Sequence, residues 1–104
     1  MKVLLVCSQG MSSAIAAKAL QEAAQKKGLE VTVIECSTQA FAEEIKNGYA
    51  IGMVAPQIRH RFDVLKQQAD AANVPCVLIK PQGYTPLGGS KLLAQIEEVL
   101  GEIK

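Results

Sequence analysis

The sequence predicts an α/β fold of three layers, with an open four-stranded parallel sheet between two layers of helices. Three observations predict it. Short apolar segments alternate with amphipathic helical segments along all 104 residues. The strand segments are apolar at nearly every position, as in strands buried on both faces. The length fits one domain, residues 1–104, with right-handed crossovers and strand order 2-1-3-4.

The first half of the chain supplies three of the four strands. Residues 3–6 and 31–34 are short β-rich runs, and residues 50–55 form the third. The helix predicted over 12–27 has its stop at Gly28, and the shorter one over 39–47 has its stop at Gly48. The apolar positions that define these helices are Ile15, Ala19, Leu20, Ala23, Ala24, Phe41 and Ile45.

The second half repeats the alternation. Pro56 begins a helix that runs to about residue 72, because proline favours a first helical turn. Residues 75–79 form the fourth strand, 80–88 a loop rich in Gly and Pro, and Gly89 or Ser90 begins the last helix. The core positions of these helices are Ile58, Phe62, Leu65, Ala69, Leu92, Leu93, Ile96, Val99, Leu100 and Ile103.

Composition excludes several classes of protein. Eleven basic and ten acidic residues give a formal net charge of +1, so no nucleic-acid partner is expected. No apolar run reaches the roughly 20 residues of a membrane span, and the N-terminal run is shorter than a signal-peptide core. We therefore expect a cytoplasmic protein with no direct membrane insertion. Three widely spaced cysteines without a C-x-x-C pair predict neither a disulfide framework nor a metal site, and no cofactor is expected.

The predicted topology locates a site before any motif is considered. Ligands bind at the carboxyl ends of the strands where the strand order reverses, which here lies between the first and third strands. Two segments meet there, residues 7–13 and residues 55–59. The first places a cysteine, small polar residues and a helix start in direct succession. A helix N-terminus binds anions, so this segment predicts a phosphate cradle beside a nucleophilic Cys7.

The alternatives to this interpretation are also open. A cysteine that ends a buried strand is often only a small apolar residue. The spacing Cys7-x5-Ser13 resembles the C-x5-R loop of low-molecular-weight tyrosine phosphatases, whose fold the predicted one is similar to, but Ser13 stands where those enzymes have arginine. This difference favours a phosphoryl carrier over a hydrolase. A redox module would need a resolving cysteine near Cys7, and the sequence offers none that is obvious.

The chain resembles the IIB component of the bacterial sugar phosphotransferase system (PTS), in the lactose/cellobiose/diacetylchitobiose family. The resemblance covers nearly the whole chain, which would be one EIIB domain of type 3. Its marks are residues 4–13, LLVCSQGMSS, and residues 55–59, APQIR, within which CSQGMSS and PQIR carry the family pattern. It implies a phosphotransferase in which Cys7 accepts a phosphoryl group from a phosphohistidine of the EIIA component. The group would then pass to a sugar held by the membrane component EIIC, expected to be a β-linked disaccharide such as cellobiose, chitobiose or lactose.

The resemblance and the local pattern together select the candidate residues. The phosphate-binding segment is Ser8, Gln9, Gly10, Met11, Ser12 and Ser13. Candidate partner contacts are Pro56, Gln57, Arg59 and Tyr84. His60 is more simply a surface helix residue, and Cys36 and Cys76 are more simply buried structural residues.

Overall fold

A four-stranded parallel sheet forms the centre of the molecule. The computed structural model describes residues 1–7, 11–80 and 88–100, with the backbone alone at 11–14. The strands are β1 (Lys2–Cys7), β2 (Thr32–Ser37), β3 (Ile51–Val54) and β4 (Cys76–Leu78). All three pairings are parallel and the order is β2-β1-β3-β4, which confirms the predicted topology.

Helices cover both faces of this sheet, as the sequence predicts. They are α1 (Met11–Lys26), α2 (Phe41–Glu44), α3 (Phe62–Ala71) and α4 (Gly89–Leu100). The residues of β1 alternate between two buried clusters. Val3 and Leu5 pack against α1 and α4, whereas Leu4 and Val6 pack against α2 and α3. The result is the three-layer architecture expected from the apolar strands.

The segment after β3 differs from the predicted continuous helix. Pro56–Arg61 is a 3₁₀ helix, and the α-helix starts only at Phe62. Ile58 leaves the helical region at φ −116° and ψ 28°, and its side chain is buried. The apolar spacing of Ile58 and Phe62 suits either type of helix, so periodicity alone did not reveal the break. The second helix is also shorter than predicted, because only Phe41–Glu44 is regular before the turn at Gly48.

Three apolar residues that the periodicity assigns to the core are in fact exposed. Ile15 is 50% exposed, Val99 42% and Leu100 37%. α1 buries Ala16, Ala17 and Leu20 instead, because its alanine-rich side lies close to α4 and the sheet. The predicted core positions Leu65, Ala69, Leu92, Leu93 and Ile96 are buried, while Ile103 lies outside the described residues.

Candidate active site

Cys7 lies at the carboxyl end of β1, one of the two central strands, at the point of strand-order reversal where the sequence predicts the site. Its side chain is 8% exposed. Only residues 8–10 separate it from Met11, the first residue of α1. The first backbone N–H groups of a helix have no partner within the helix and lie at the positive end of its dipole. No acidic residue lies in the first turn of α1, so no carboxylate of that turn competes with an anion.

A second segment begins beside the same strand end. The backbone N–H of Ala55 donates a hydrogen bond to the carbonyl oxygen of Val6 at 3.0 Å. Pro56 then begins the 3₁₀ helix, whose buried Ile58 fixes it on the core cluster. The two segments predicted to meet at the switch point therefore do start at neighbouring positions. Pro56 is half-buried, and Gln57 is exposed.

Basic side chains occupy the end of the 3₁₀ helix. Arg59, His60 and Arg61 follow one another and are all exposed. Neither guanidinium forms an ion pair with a carboxylate within the described parts of the chain. Both arginines are therefore available to an approaching anionic group or acidic surface.

The structure describes only some of the remaining predicted site residues. Met11, Ser12 and Ser13 form the start of α1, described by its backbone. Ser8, Gln9, Gly10 and Tyr84 lie outside the described residues. Their predicted roles stay predictions.

Cys36 is a neighbour of Cys7 that the sequence analysis did not connect with it. Cys36 lies in β2 opposite Val6, and Ser37 lies opposite Cys7. Burial is the main cause that raises the pKa of the Cys36 thiol to about 12, and the charges of Glu44 and Cys7 raise it further. The sequence contains the information that could have predicted this proximity. Strand order 2-1-3-4 makes the first two strands neighbours, and each of them ends near a cysteine.

A buried tyrosine and a carboxylate adjoin Cys36. The hydroxyl of Tyr49 donates a hydrogen bond to Glu44 Oε1 at 2.5 Å. Burial raises the pKa of Tyr49 well above its ordinary value, and its hydrogen bond to Glu44 adds to the effect. The ammonium of Lys2 lies 4.4 Å from the centre of the Tyr49 ring. Tyr49 and Glu44 thus form a polar contact on the α2 side of the sheet.

Among the described residues, α1 borders two surface clefts that neither Cys7 nor Arg59 lines. One, of about 360 Å³, is bounded by Ala19, Glu22, Ala23, Lys26, Lys27, Gly89 and Ser90. The other, of about 420 Å³, is bounded by Ile15, Lys18, Ala19 and Glu22. Across residues 1–7, 11–80 and 88–100, no group of three or more His, Cys, Asp or Glu side chains is placed to hold a metal ion.

Comparison with known protein families identifies the family of this chain. The family model described as "PTS system, Lactose/Cellobiose specific IIB subunit" matches residues 2–95. The chain belongs to this family. As a IIB subunit it is a component of a phosphotransferase system, which confirms the resemblance drawn from the CSQGMSS and PQIR segments.

Curated relatives align with this IIB subunit over most of their length. The oligo-beta-mannoside-specific EIIB component of Bacillus subtilis is 28% identical over 94 residues, or 90% of each chain. The galactose-specific EIIB component of Lactococcus lactis subsp. cremoris is 27% identical over 102 residues, or 94% of each chain. These relatives support the same subunit type but differ in the sugar that their names give.

Solved structures share the fold of this IIB subunit. The lactose-specific IIB domain of Streptococcus pneumoniae superposes with a TM-score of 0.77 and 22% identity, covering 91% of this chain and 95% of that one. The cellobiose-specific IIB protein of Borrelia burgdorferi has a TM-score of 0.73 and 24% identity, covering 96% and 90%. Among the helices that the structure describes, none is long and apolar enough to span a membrane.

Proposed function

We propose that this IIB subunit is a phosphocarrier whose Cys7 takes a phosphoryl group from a phosphohistidine of an EIIA component and gives it to a sugar. The observation that carries the proposal is the position of Cys7, at the end of β1 and just before the N-terminus of α1. Membership of the IIB family supports the same role.

The chemistry requires two displacements at one phosphorus atom. In the first, the Cys7 sulfur attacks phosphorus, a P–S bond forms, and the P–N bond to the donor imidazole breaks. In the second, a sugar hydroxyl oxygen attacks, a P–O bond forms, and the P–S bond breaks. Each attacking atom and leaving atom lie roughly in line, so negative charge collects on the three equatorial oxygens. We expect the segment from Ser8 to Ser13 to hold those oxygens with backbone N–H groups and hydroxyls.

The two proposed partners follow from the resemblance to the IIB family. EIIA supplies the phosphoryl group, and EIIC holds the sugar that accepts it. One relative, the lactose-specific EIICB component of Streptococcus mutans, is 31% identical over 100 residues that make up only 17% of its length. Its name joins B and C components in one protein, which supports direct contact between this subunit and a membrane component. The cytoplasmic location stays a prediction.

The contact surface proposed for these partners surrounds the end of β1. Pro56, Gln57 and Arg59 lie on the segment that begins beside Val6, and Tyr84 is added from the sequence alone. Arg59 is exposed and basic, so it suits an acidic partner surface or a transferred phosphoryl group. We expect residues 1–104 to act as one EIIB domain of type 3.

The sugar is proposed only as a class. The curated relatives are named for an oligo-beta-mannoside, galactose, cellobiose and lactose. A β-linked disaccharide such as cellobiose, chitobiose or lactose remains our expectation. The test is phosphorylation of a panel of these sugars by membranes that contain a candidate EIIC component, in the presence of this subunit and a phosphorylated EIIA protein.

The role of Cys7 is tested by intact mass after incubation with a phosphorylated EIIA protein. We expect the wild-type chain to gain one phosphoryl group and Cys7→Ser to gain none. Cys36→Ser and Cys76→Ser are matched controls that keep Cys7, and we expect both to gain the group. A phosphoryl group that maps to His60 would contradict the proposal.

A further inference from the structure

Two of the three cysteines lie within bonding range at the carboxyl end of the sheet. Val6 is opposite Cys36, and Cys7 is opposite Ser37. Neighbouring strands are about 4.8 Å apart and residues rise about 3.3 Å along a strand, so the Cα atoms of Cys7 and Cys36 lie about 6 Å apart. Disulfides join Cα atoms separated by roughly 4.4–6.8 Å.

The third cysteine is out of range. Cys76 lies in β4 opposite Gly52, and β3 stands between it and β1. The same spacings place its Cα atom about 14 Å from that of Cys7. Cys76 is therefore a matched control for any reaction that needs proximity to Cys7.

The packing places the two neighbouring thiols at one buried cluster. Strict alternation along β1 would direct Cys7 to the face of Val3 and Leu5. Cys7 instead belongs to the buried cluster of Leu4 and Val6, against which Cys36 also packs. The charge of Cys7 reaches Cys36, since it contributes to the raised pKa of that thiol.

We propose that Cys7 and Cys36 form a reversible disulfide when hydrogen peroxide oxidises Cys7. The Cys7 thiolate attacks a peroxide oxygen, an S–O bond forms, the O–O bond breaks, and the hydroxide that leaves takes up a proton. The Cys36 sulfur then attacks the Cys7 sulfur, so an S–S bond forms and the S–O bond breaks. The second hydroxide takes the proton of Cys36. The two sulfurs together lose two electrons, peroxide gains them, and two water molecules result.

The surroundings of Cys36 set the order of these steps. Burial and the charge of Glu44 keep Cys36 a protonated thiol at neutral pH, so it is not the sulfur that peroxide attacks. That Cys7 is the more reactive thiol rests on its proposed role as nucleophile.

The disulfide would stop phosphoryl transfer without destroying the carrier. Cys7 in a disulfide has no thiolate to attack phosphorus, and a thiol reductant restores it. Without a neighbouring thiol, a sulfenic acid proceeds to sulfinic and sulfonic acids, which reductants do not reverse. Cys36 thus protects the residue on which the subunit depends.

The test is peptide mapping of the full-length protein after graded treatment with hydrogen peroxide and without reduction. Trypsin cleaves after Lys2, Lys18, Lys27, Lys46 and Lys66, so Cys7, Cys36 and Cys76 fall in three different peptides. We expect the wild type to lose two hydrogens in mass and to yield the peptide pair 3–18 and 28–46. Dithiothreitol should separate that pair and restore its thiols.

Two variants separate this proposal from its alternatives. Cys76→Ser should form the same cross-link, while Cys36→Ser should form none and should accumulate Cys7 sulfinic and sulfonic acids. The mass and mapping need no EIIA, so they remain informative if phosphoryl transfer fails. A cross-link through Cys76, or irreversible oxidation of Cys7 at equal rates in wild type and Cys36→Ser, would overturn the proposal. Circular dichroism of each variant confirms that it is folded.

Discussion

Gly89, the first residue of α4, lies so close to α1 that a Cβ atom on it would overlap the carbonyl oxygen of Ala19. No side chain fits between the two backbones there. The contact places α4 against α1, together with the buried Leu20 and Leu92. Since α1 begins beside Cys7, this contact also supports the helix start on which the proposed site depends.

The first prediction is that Gly89→Ala destabilises the protein. The added methyl group must push two helix backbones apart, and overpacking of this kind costs about 1–3 kcal/mol in the free energy of unfolding. Chemical denaturation followed by circular dichroism measures the change. Ser90→Ala, at the next and exposed position, should change stability by less than about 0.5 kcal/mol. Equal stability of the two variants would show that the helices separate at no cost.

The second prediction concerns alkaline pH. The fold raises the pKa of Cys36 from 9.0 to about 12 and that of Cys76 to about 11, in both cases mainly through burial. Below pH 9 both thiols are protonated in both states, and their contribution to stability is fully present. Above pH 9 the unfolded chain loses these protons first, so the folded state loses stability as pH rises toward the folded pKa. We expect a loss of roughly 1 kcal/mol from the buried Cys76 between pH 8 and pH 10, and a smaller loss from Cys36, because its partial exposure lets solvent screen the effect.

Serine variants isolate each thiol in this measurement. Cys76→Ser should reduce the fall in unfolding free energy between pH 8 and pH 10 by roughly 1 kcal/mol, because serine does not titrate there. Cys36→Ser should reduce it by less, since Cys36 is only half-buried. Urea denaturation at several pH values, under reducing conditions, gives the slopes. Slopes as steep as that of the wild type would mean that neither thiol resists ionisation in the fold.

The third prediction tests the basic segment after β3. Arg59→Gln should lower the rate of phosphoryl transfer from EIIA by about threefold to tenfold, because it removes an exposed charge near the docking surface proposed around Cys7. The effect should shrink as ionic strength rises. Rapid-quench kinetics at several salt concentrations measures it.

Lys26→Gln is the matched control for this charge change. Lys26 is exposed in the last turn of α1, the end of that helix away from Cys7. The rate for Lys26→Gln should match that of the wild type, and both variants should unfold within about 0.5 kcal/mol of it. Equal losses in both variants would indicate a nonspecific effect of net charge.

Much of this site could be predicted from the sequence because topology determines it. Apolar strands that alternate with helices give a parallel sheet, and its switch point brings the residues after Val6 and Ala55 together. The hydrogen bond between those two residues confirms it. The pairing of Cys36 with Val6 is a matter of register, which apolar strands buried on both faces do not determine by their sequence pattern. The exposure of Ile15 depends on the rotation of α1, which the contact of Ala19 with Gly89 helps to set.

The fourth prediction is that the isolated subunit holds its phosphoryl group instead of hydrolysing it. In tyrosine phosphatases with the C-x5-R loop, an arginine binds the equatorial oxygens through parallel hydrogen bonds. Ser13 stands at that position here, and no charged residue occurs from Cys7 to Ala17. Loss of a well-placed donor costs on the order of 10²–10³ in rate. We therefore expect turnover of an aryl phosphate at the background rate, equal in wild type and Cys7→Ser. If the wild type turns over the aryl phosphate and Cys7→Ser does not, the protein is a hydrolase. Residues 8–13 would then suffice, without an arginine, to hydrolyse a phosphocysteine.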